Sequence, residues 1–207
     1  QFSLGDFSGS EKTARELIER FPSSFEGYFA LGYMLAETES GITDIEASIE
    51  YYEQALERKP DLLNGHWNVC ESLDRLGQTE RLRAAAKKAL PLFEKDVRMR
   101  PTNSDALVGL AHVYIWSGDL EKGKPIAEKL FNDLKTEGLV LYYLTGIYQN
   151  LNEPERILAC YRRALESGVS IRDIRVWITS EPMAKYRERE DFQELLKEIE
   201  RREGAAA

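Results

Sequence analysis

Residues 141–169 constrain this chain more than any other stretch. Apolar residues recur there at helical spacing, at Leu141, Leu144, Tyr148 and Leu151. Asn152-Glu153-Pro154 interrupts the pattern, and Ile157, Tyr161, Ala164 and Leu165 resume it. Steps of three and four put each set on one side of a helix, so the stretch predicts two short amphipathic helices joined by a tight turn. Neither helix can bury its stripe alone, and such a hairpin needs neighbours of its own kind.

Those neighbours are in the sequence. Ser104 to Lys135 repeats the plan: Leu107, Leu110, Ala111 and Tyr114, then Ser117-Gly118-Asp119, then Ile126, Ala127 and Leu130. Ala111 and Thr145 hold matching positions 34 residues apart. Tyr28-x-x-Leu31-Gly32-x-x-Leu35 and Tyr52-x-x-Ala55-x-x-x-x-Pro60 add first-helix and second-helix patterns. A helix-turn-helix unit at a period of about 34 is the signature of tetratricopeptide repeats, and about three quarters of the chain resembles that family. The resemblance implies an all-α fold, an αα-superhelical solenoid of such repeats with a C-terminal capping helix.

Along the chain, 1–23 reads as a truncated N-terminal half-repeat, with a native half-repeat acting as an N-terminal cap as the alternative, because Leu4-Gly5-Asp6-Phe7 resembles an inter-helix turn and Ala14-x-x-Leu17-x-x-x-x-Pro22 a second-helix ending. Repeats are expected at 24–60, 61–101, 102–137 and 138–169. The connection Glu37–Asp44 is long, with Thr43 or Asp44 as the cap of the helix that follows. In the second repeat, Pro60 to Pro101 spans 41 residues, seven over the period, which is two helical turns. A kink is expected near Ala86–Leu90, ahead of Pro91. Gly123 and Pro125 place the start of the third repeat's second helix near Lys122 to Lys124. Residues 170–203 break the period, and a helix with Phe192, Leu195, Leu196 and Ile199 on one face suits a cap. Residues 204–207 read as a cloning scar. The tail also resembles the end of bacterial repeat regions that follow a cyclase or DNA-binding domain. That resemblance implies, as an alternative, a regulatory or sensory region of a larger signalling protein.

Composition narrows the function. The net charge is −8, which argues against nucleic acid and anionic membrane as partners. Two cysteines make no disulfide framework, so a reducing compartment, the cytoplasm, is expected. No phosphate-binding loop is present and no motif brings a catalytic set together. The expectation is therefore a non-catalytic chain needing no cofactor. His66 and Cys70 are four apart on one helix, but a structural zinc needs about four ligands and no second pair completes the site.

The family resemblance further implies a concave groove lined by the first helix of each repeat. Carried onto this chain, the peptide- or protein-binding positions are Phe29, Tyr33, Trp67, Glu71, His112, Ile115, Trp116, Tyr142 and Gln149, with Glu26, Glu37, Asn64, Arg75, Asp105, Val108, Leu139, Gly146 and Asn150 beside them. Aromatic side chains dominate binding hot spots, which favours an aromatic-lined groove for a protein or peptide partner. The carboxylate clamp known in the family is not carried over: its positions hold Phe29, Tyr33, Val108 and Gly109, and Asn68 alone matches. The rings could instead pack against neighbouring helices, and residues 171–190 could fold back into the groove. An apolar edge near Leu17, Ile18 and Phe21 suggests a homodimer through the N-terminal half-repeat.

Overall fold

A computed structural model describes residues 7–36, 44–133, 135–179 and 181–206. The turn predicted at Leu4-Gly5-Asp6 and most of the long connection after Ala36, Glu37 included, lie outside the described residues. Helices account for the described elements: α1 (Phe7–Arg20), α2 (Glu26–Ala36), α3 (Ile45–Arg58), α4 (Leu63–Arg75), α5 (Thr79–Met99), α6 (Ser104–Ser117), α7 (Leu120–Asn132), α8 (Gly138–Asn150), α9 (Pro154–Glu166), α10 (Ile171–Ile178) and α11 (Glu190–Ala206), with a 3-10 helix at Glu181–Tyr186. The fold is an αα-solenoid of paired helices. Two compact units divide it: 1–95 with 116–118, and 96–115 with 119–207.

The turns inside the pairs follow one rule. Gly77, Gly118 and Asn152 end α4, α6 and α8 with φ of +66°, +90° and +56°. In each, the N–H two residues past the cap reaches back to a helix carbonyl: Gln78 to Leu73 at 3.0 Å, Asp119 to Tyr114 at 2.9 Å, Glu153 to Tyr148 at 2.8 Å. This closure satisfies carbonyls that the helix end leaves unpaired and needs a left-handed residue, which glycine supplies freely and asparagine at small cost. Side chains cap the other ends. Asp44 accepts from the Ala47 N–H at 3.0 Å to start α3, and Asn103 accepts from Ala106 at 2.8 Å to start α6.

In the first unit α1 packs on α2, α2 on α3 and α3 on α4. Small residues set the spacing. A Cβ on Gly27 would lie 2.9 Å from the Ala14 carbonyl, and one on Gly32 would lie 2.7 Å from the Tyr52 ring. Ile18 thus faces Gly27 and α2, while Phe21, at the end of the same predicted apolar edge, is exposed. Between α3 and α4 the buried Ser48 and Ser72 hydroxyls sit 3.3 Å apart. Ser48 donates to the Ile45 carbonyl at 2.7 Å, so its single hydrogen is used and Ser72 donates to it. Arg58 stacks 3.6 Å from the Tyr28 ring centre and donates from Nε to the Pro22 carbonyl at 2.7 Å, tying the end of α3 to the turn before α2.

The core of the second unit runs from Val108 and Ala111 through Leu141, Leu144, Tyr148, Ile157 and Tyr161 to Ile174, Ile178, Phe192, Leu195 and Ile199. Arg163 plays the part here that Arg58 plays in the first unit. Its guanidinium donates to the carbonyls of Phe131, in the last turn of α7, and Asp133, just after it. The tail packs on α9 through α10 and α11. Tyr186 and Phe192 stack at 5.4 Å, and Tyr186 donates its hydroxyl to Asn152 Oδ1 at 3.0 Å, which fastens the tail to the α8–α9 turn.

The start of α7 and the end of α11 differ from expectation. α7 begins at Leu120, two to four residues before the predicted start, because the Asp119 carbonyl already accepts from Lys122 and Gly123. Pro125 then lies within the helix and forfeits only a bond to Glu121, at an end where carbonyls are still close to solvent. α5 runs from Thr79 to Met99 as one element with Pro91 inside it. Pro91 is exposed, so the helix partner lost by the Lys87 carbonyl is replaceable by water. α11 continues through Ala206, past the predicted end of the cap at 203.

Candidate interaction surfaces

In the first unit the candidate wall is built from α2 and α4, which touch one another. One turn of α2 separates Phe29 from Tyr33, and one turn of α4 separates Trp67 from Glu71. Phe29 is half-buried with its ring 5.6 Å from Tyr52, whereas Tyr33 is 49% exposed. Trp67 is half-buried between Phe93, at 6.4 Å, and Trp116, at 5.1 Å with the rings edge-on at 61°. Glu71 is half-buried and Glu26 is exposed. Arg75 donates to the Ala36 carbonyl at 2.8 Å, which caps the C-terminal end of α2 with a cation and fixes it to α4.

Trp116 is enclosed rather than open. It is 6% exposed, and its indole N–H donates to Asp74 Oδ2 at 3.1 Å. The expected contact with a partner is corrected here: the ring backs Trp67. Asp74, which the sequence reading passed over, is the acceptor that makes burial of this indole tolerable.

In the second unit three more predicted wall residues are covered, Val108 at 3% exposure among them. Ile115 is 7% exposed because Gly123 of α7 sits directly against it, with space for a Cβ only 2.8 Å from its Cδ1. His112 is 5% exposed; its Nε2–H donates to the Tyr143 carbonyl at 2.8 Å, and Gly146 leaves room for the ring. Burial lowers its pKa to about 4, so the imidazole is neutral and its proton stays on Nε2. Tyr142 and Gln149 are half-buried, with the Tyr142 ring 5.8 Å from Tyr143, and Leu139 is 51% exposed.

The His66 and Cys70 pair is likewise internal. His66 Nε2 donates to the Pro60 carbonyl at 2.9 Å, and its pKa is lowered, first by burial. Cys70 and Cys160 are free and buried, and burial pushes both thiols up to about 12. Each behaves as a small apolar residue.

One surface escaped the sequence reading. On the side of α5 opposite Leu82, Ala86, Ala89 and Phe93, the residues Arg83, Lys87, Lys88 and Lys95 are exposed. Counting charge helix by helix, instead of over the chain, would have found them.

The paired helices of residues 27–62, α2 and α3 with their flanks, match the family model described as Tetratricopeptide repeat. The chain has the tetratricopeptide-repeat fold. A thermophilic tetratricopeptide-repeat (TPR) protein of Thermus thermophilus is similar in structure, with a TM-score of 0.55 at 19% identity over 85% of this chain and 90% of its own. YrrB, described as a TPR protein with an unusual peptide-binding site, has a TM-score of 0.47 at 14% identity over 91% of both chains. MamA has a TM-score of 0.47 at 16% identity over 79% of this chain and 89% of its own. Identities this low speak of fold alone. A search of curated proteins finds no match. Among the described residues no helix is long and apolar enough to cross a membrane.

Proposed function

We propose that this TPR chain is a non-catalytic interaction scaffold whose α2–α4 wall takes a peptide or protein segment. The observation carrying this is Tyr33, a tyrosine 49% exposed on a first helix, with Phe29 one turn away and Trp67 on the neighbouring first helix. Large rings left open on a rigid support are the usual material of hot spots. The support is rigid because Trp67 is packed between Phe93 and Trp116, and Arg75 ties α4 to α2. Preorganisation of this kind lowers the entropy lost on binding. Glu26 and Glu71 flank the rings, so a segment bearing Lys or Arg fits best, its cation over an aromatic face and near a carboxylate. His112, the titrating residue expected in the groove, is neutral and enclosed, which suits it to packing rather than acid–base chemistry.

Peptides selected from a random library on the full chain test this reading. Enrichment in Lys or Arg beside apolar residues is expected. Tyr33→Ala, at an exposed site, should weaken the selected peptides by about tenfold or more without lowering the melting temperature. Peptides that bind Tyr33→Ala and Glu71→Lys as tightly as the parent chain would overturn it.

A further inference from the structure

α5 carries a charge imbalance that the chain total conceals. Between Thr79 and Met99 six cations face three acids, a net of +3 in a chain of −8, which leaves −11 elsewhere. Some of these cations are engaged. Arg81 pairs with Glu46 at 2.5 Å, and Arg83 lies 3.7 Å from Glu80. Lys87, Lys88 and Lys95 are exposed, with no ion pair to them among the described residues. Lys88 adds its field to the burial that keeps His66 neutral.

Lys88 and Lys95 are two turns apart and therefore share a side of the helix. Ala84 and Pro91, both small and exposed, lie among the cations, so the strip is low and even. From Arg83 to Lys95 it runs about 18 Å at 1.5 Å per residue. Like charges one turn apart, such as Arg83 and Lys87, weaken a helix.

We propose that Arg83, Lys87, Lys88 and Lys95 form a docking strip for an acidic segment of a partner protein. About five or six extended residues at about 3.4 Å each match its length. Duplex nucleic acid fits poorly, because the remaining negative charge of the chain repels a long polyanion. An anionic membrane fits poorly too, because the exposed residues between these cations are not the Trp, Phe or Leu that insert into an interface.

The test is fluorescence anisotropy of a labelled peptide of alternating Glu and Ala, titrated with the full chain. Saturable binding is expected at about 0.05 M salt, weakening about tenfold or more at about 0.5 M as screening shortens. The triple variant Lys87→Glu/Lys88→Glu/Lys95→Glu should lose binding about tenfold or more, with an unchanged circular dichroism spectrum and melting temperature. Lys87→Gln/Lys88→Gln/Lys95→Gln serves if the first variant misfolds, and Tyr33→Ala should bind this peptide as the parent does. No binding at low salt, or equal binding by both triple variants and the parent, overturns the proposal. So does tighter, strip-dependent binding to a short DNA duplex or to phosphatidylserine–phosphatidylcholine vesicles.

Discussion

Single residues decide how closely the helices approach. Gly32 faces the Tyr52 ring, which is 1% exposed and has nowhere to go. Gly32→Ala should therefore cost about 1–3 kcal/mol through overpacking. Gly77 has open space around it, yet its φ of +66° makes any side chain strained. Gly77→Ala should cost about 1–2 kcal/mol by that separate route. Urea midpoints of the two variants check both figures, and equal tolerance of both would refute the distinction between crowding and backbone strain. Gly32 was legible in the sequence because it follows the buried Leu31 in the first-helix pattern. The enclosure of Trp116 was not, since Asp74, the partner that permits it, lies 42 residues away.

His112 gives the chain a pH dependence with a definite sign. Its folded pKa, about 4, is below the ordinary value of 6.5. Between those values the unfolded chain binds the proton and the folded chain does not, so stability falls as pH drops from about 6.5 to about 4. Below about 4 both states are protonated and this contribution stops changing. The loss is at most about 3.4 kcal/mol for a shift of this size. His66, lowered in the same direction, adds to the slope. Denaturation across that pH range should flatten in His112→Gln, and an unchanged slope would mean that this imidazole is not its source.

At the level of elements, the turns carry most of the instruction. Asn152 does the work of glycine at φ +56° while its side chain accepts from Tyr186, and from Lys185 at 3.3 Å. Asn152→Ala loses the tail contact and gains strain, and should cost about 2 kcal/mol. Asn152→Gly loses the contact but relieves the backbone, and should fall within about 1 kcal/mol of the parent in the same urea titration. The paired helices and their turns were readable because periodicity and left-handed residues are local signals. The start of α7 was misjudged because proline was weighed above the Asp119 carbonyl, which already closes the first turn. The carbonyl clamps made by Arg58 and Arg163 leave no sequence signal at all: each joins a helix to a turn 30 or more residues earlier.

For the whole molecule, sequence averages were the weakest guide. A net charge of −8 suggests uniform acidity, whereas the exposed side of α5 is basic. The family resemblance implied an aromatic-lined groove, whereas the structure divides those rings between the exposed Tyr33 and an enclosed Trp116. Which first-helix residues stay open depends on the size of their neighbours in space, and a one-dimensional pattern does not state it. Each unit has its own contacts, so damage should remain near where it is made. Gly27→Ala sets a Cβ 2.9 Å from the Ala14 carbonyl, and hydrogen exchange should speed up in α1 and α2 well before α8 and α9. Equal acceleration throughout would show that the stack melts as one body.

α5 is 21 residues long where α3 is 14. A surplus of seven turns the apolar stripe by only about 20°, little enough for the same contacts to be kept. Helix length in such a chain is thus a dimension that evolution can vary in whole heptads, adding reach and new outward territory while the inward-facing residues go unrevised.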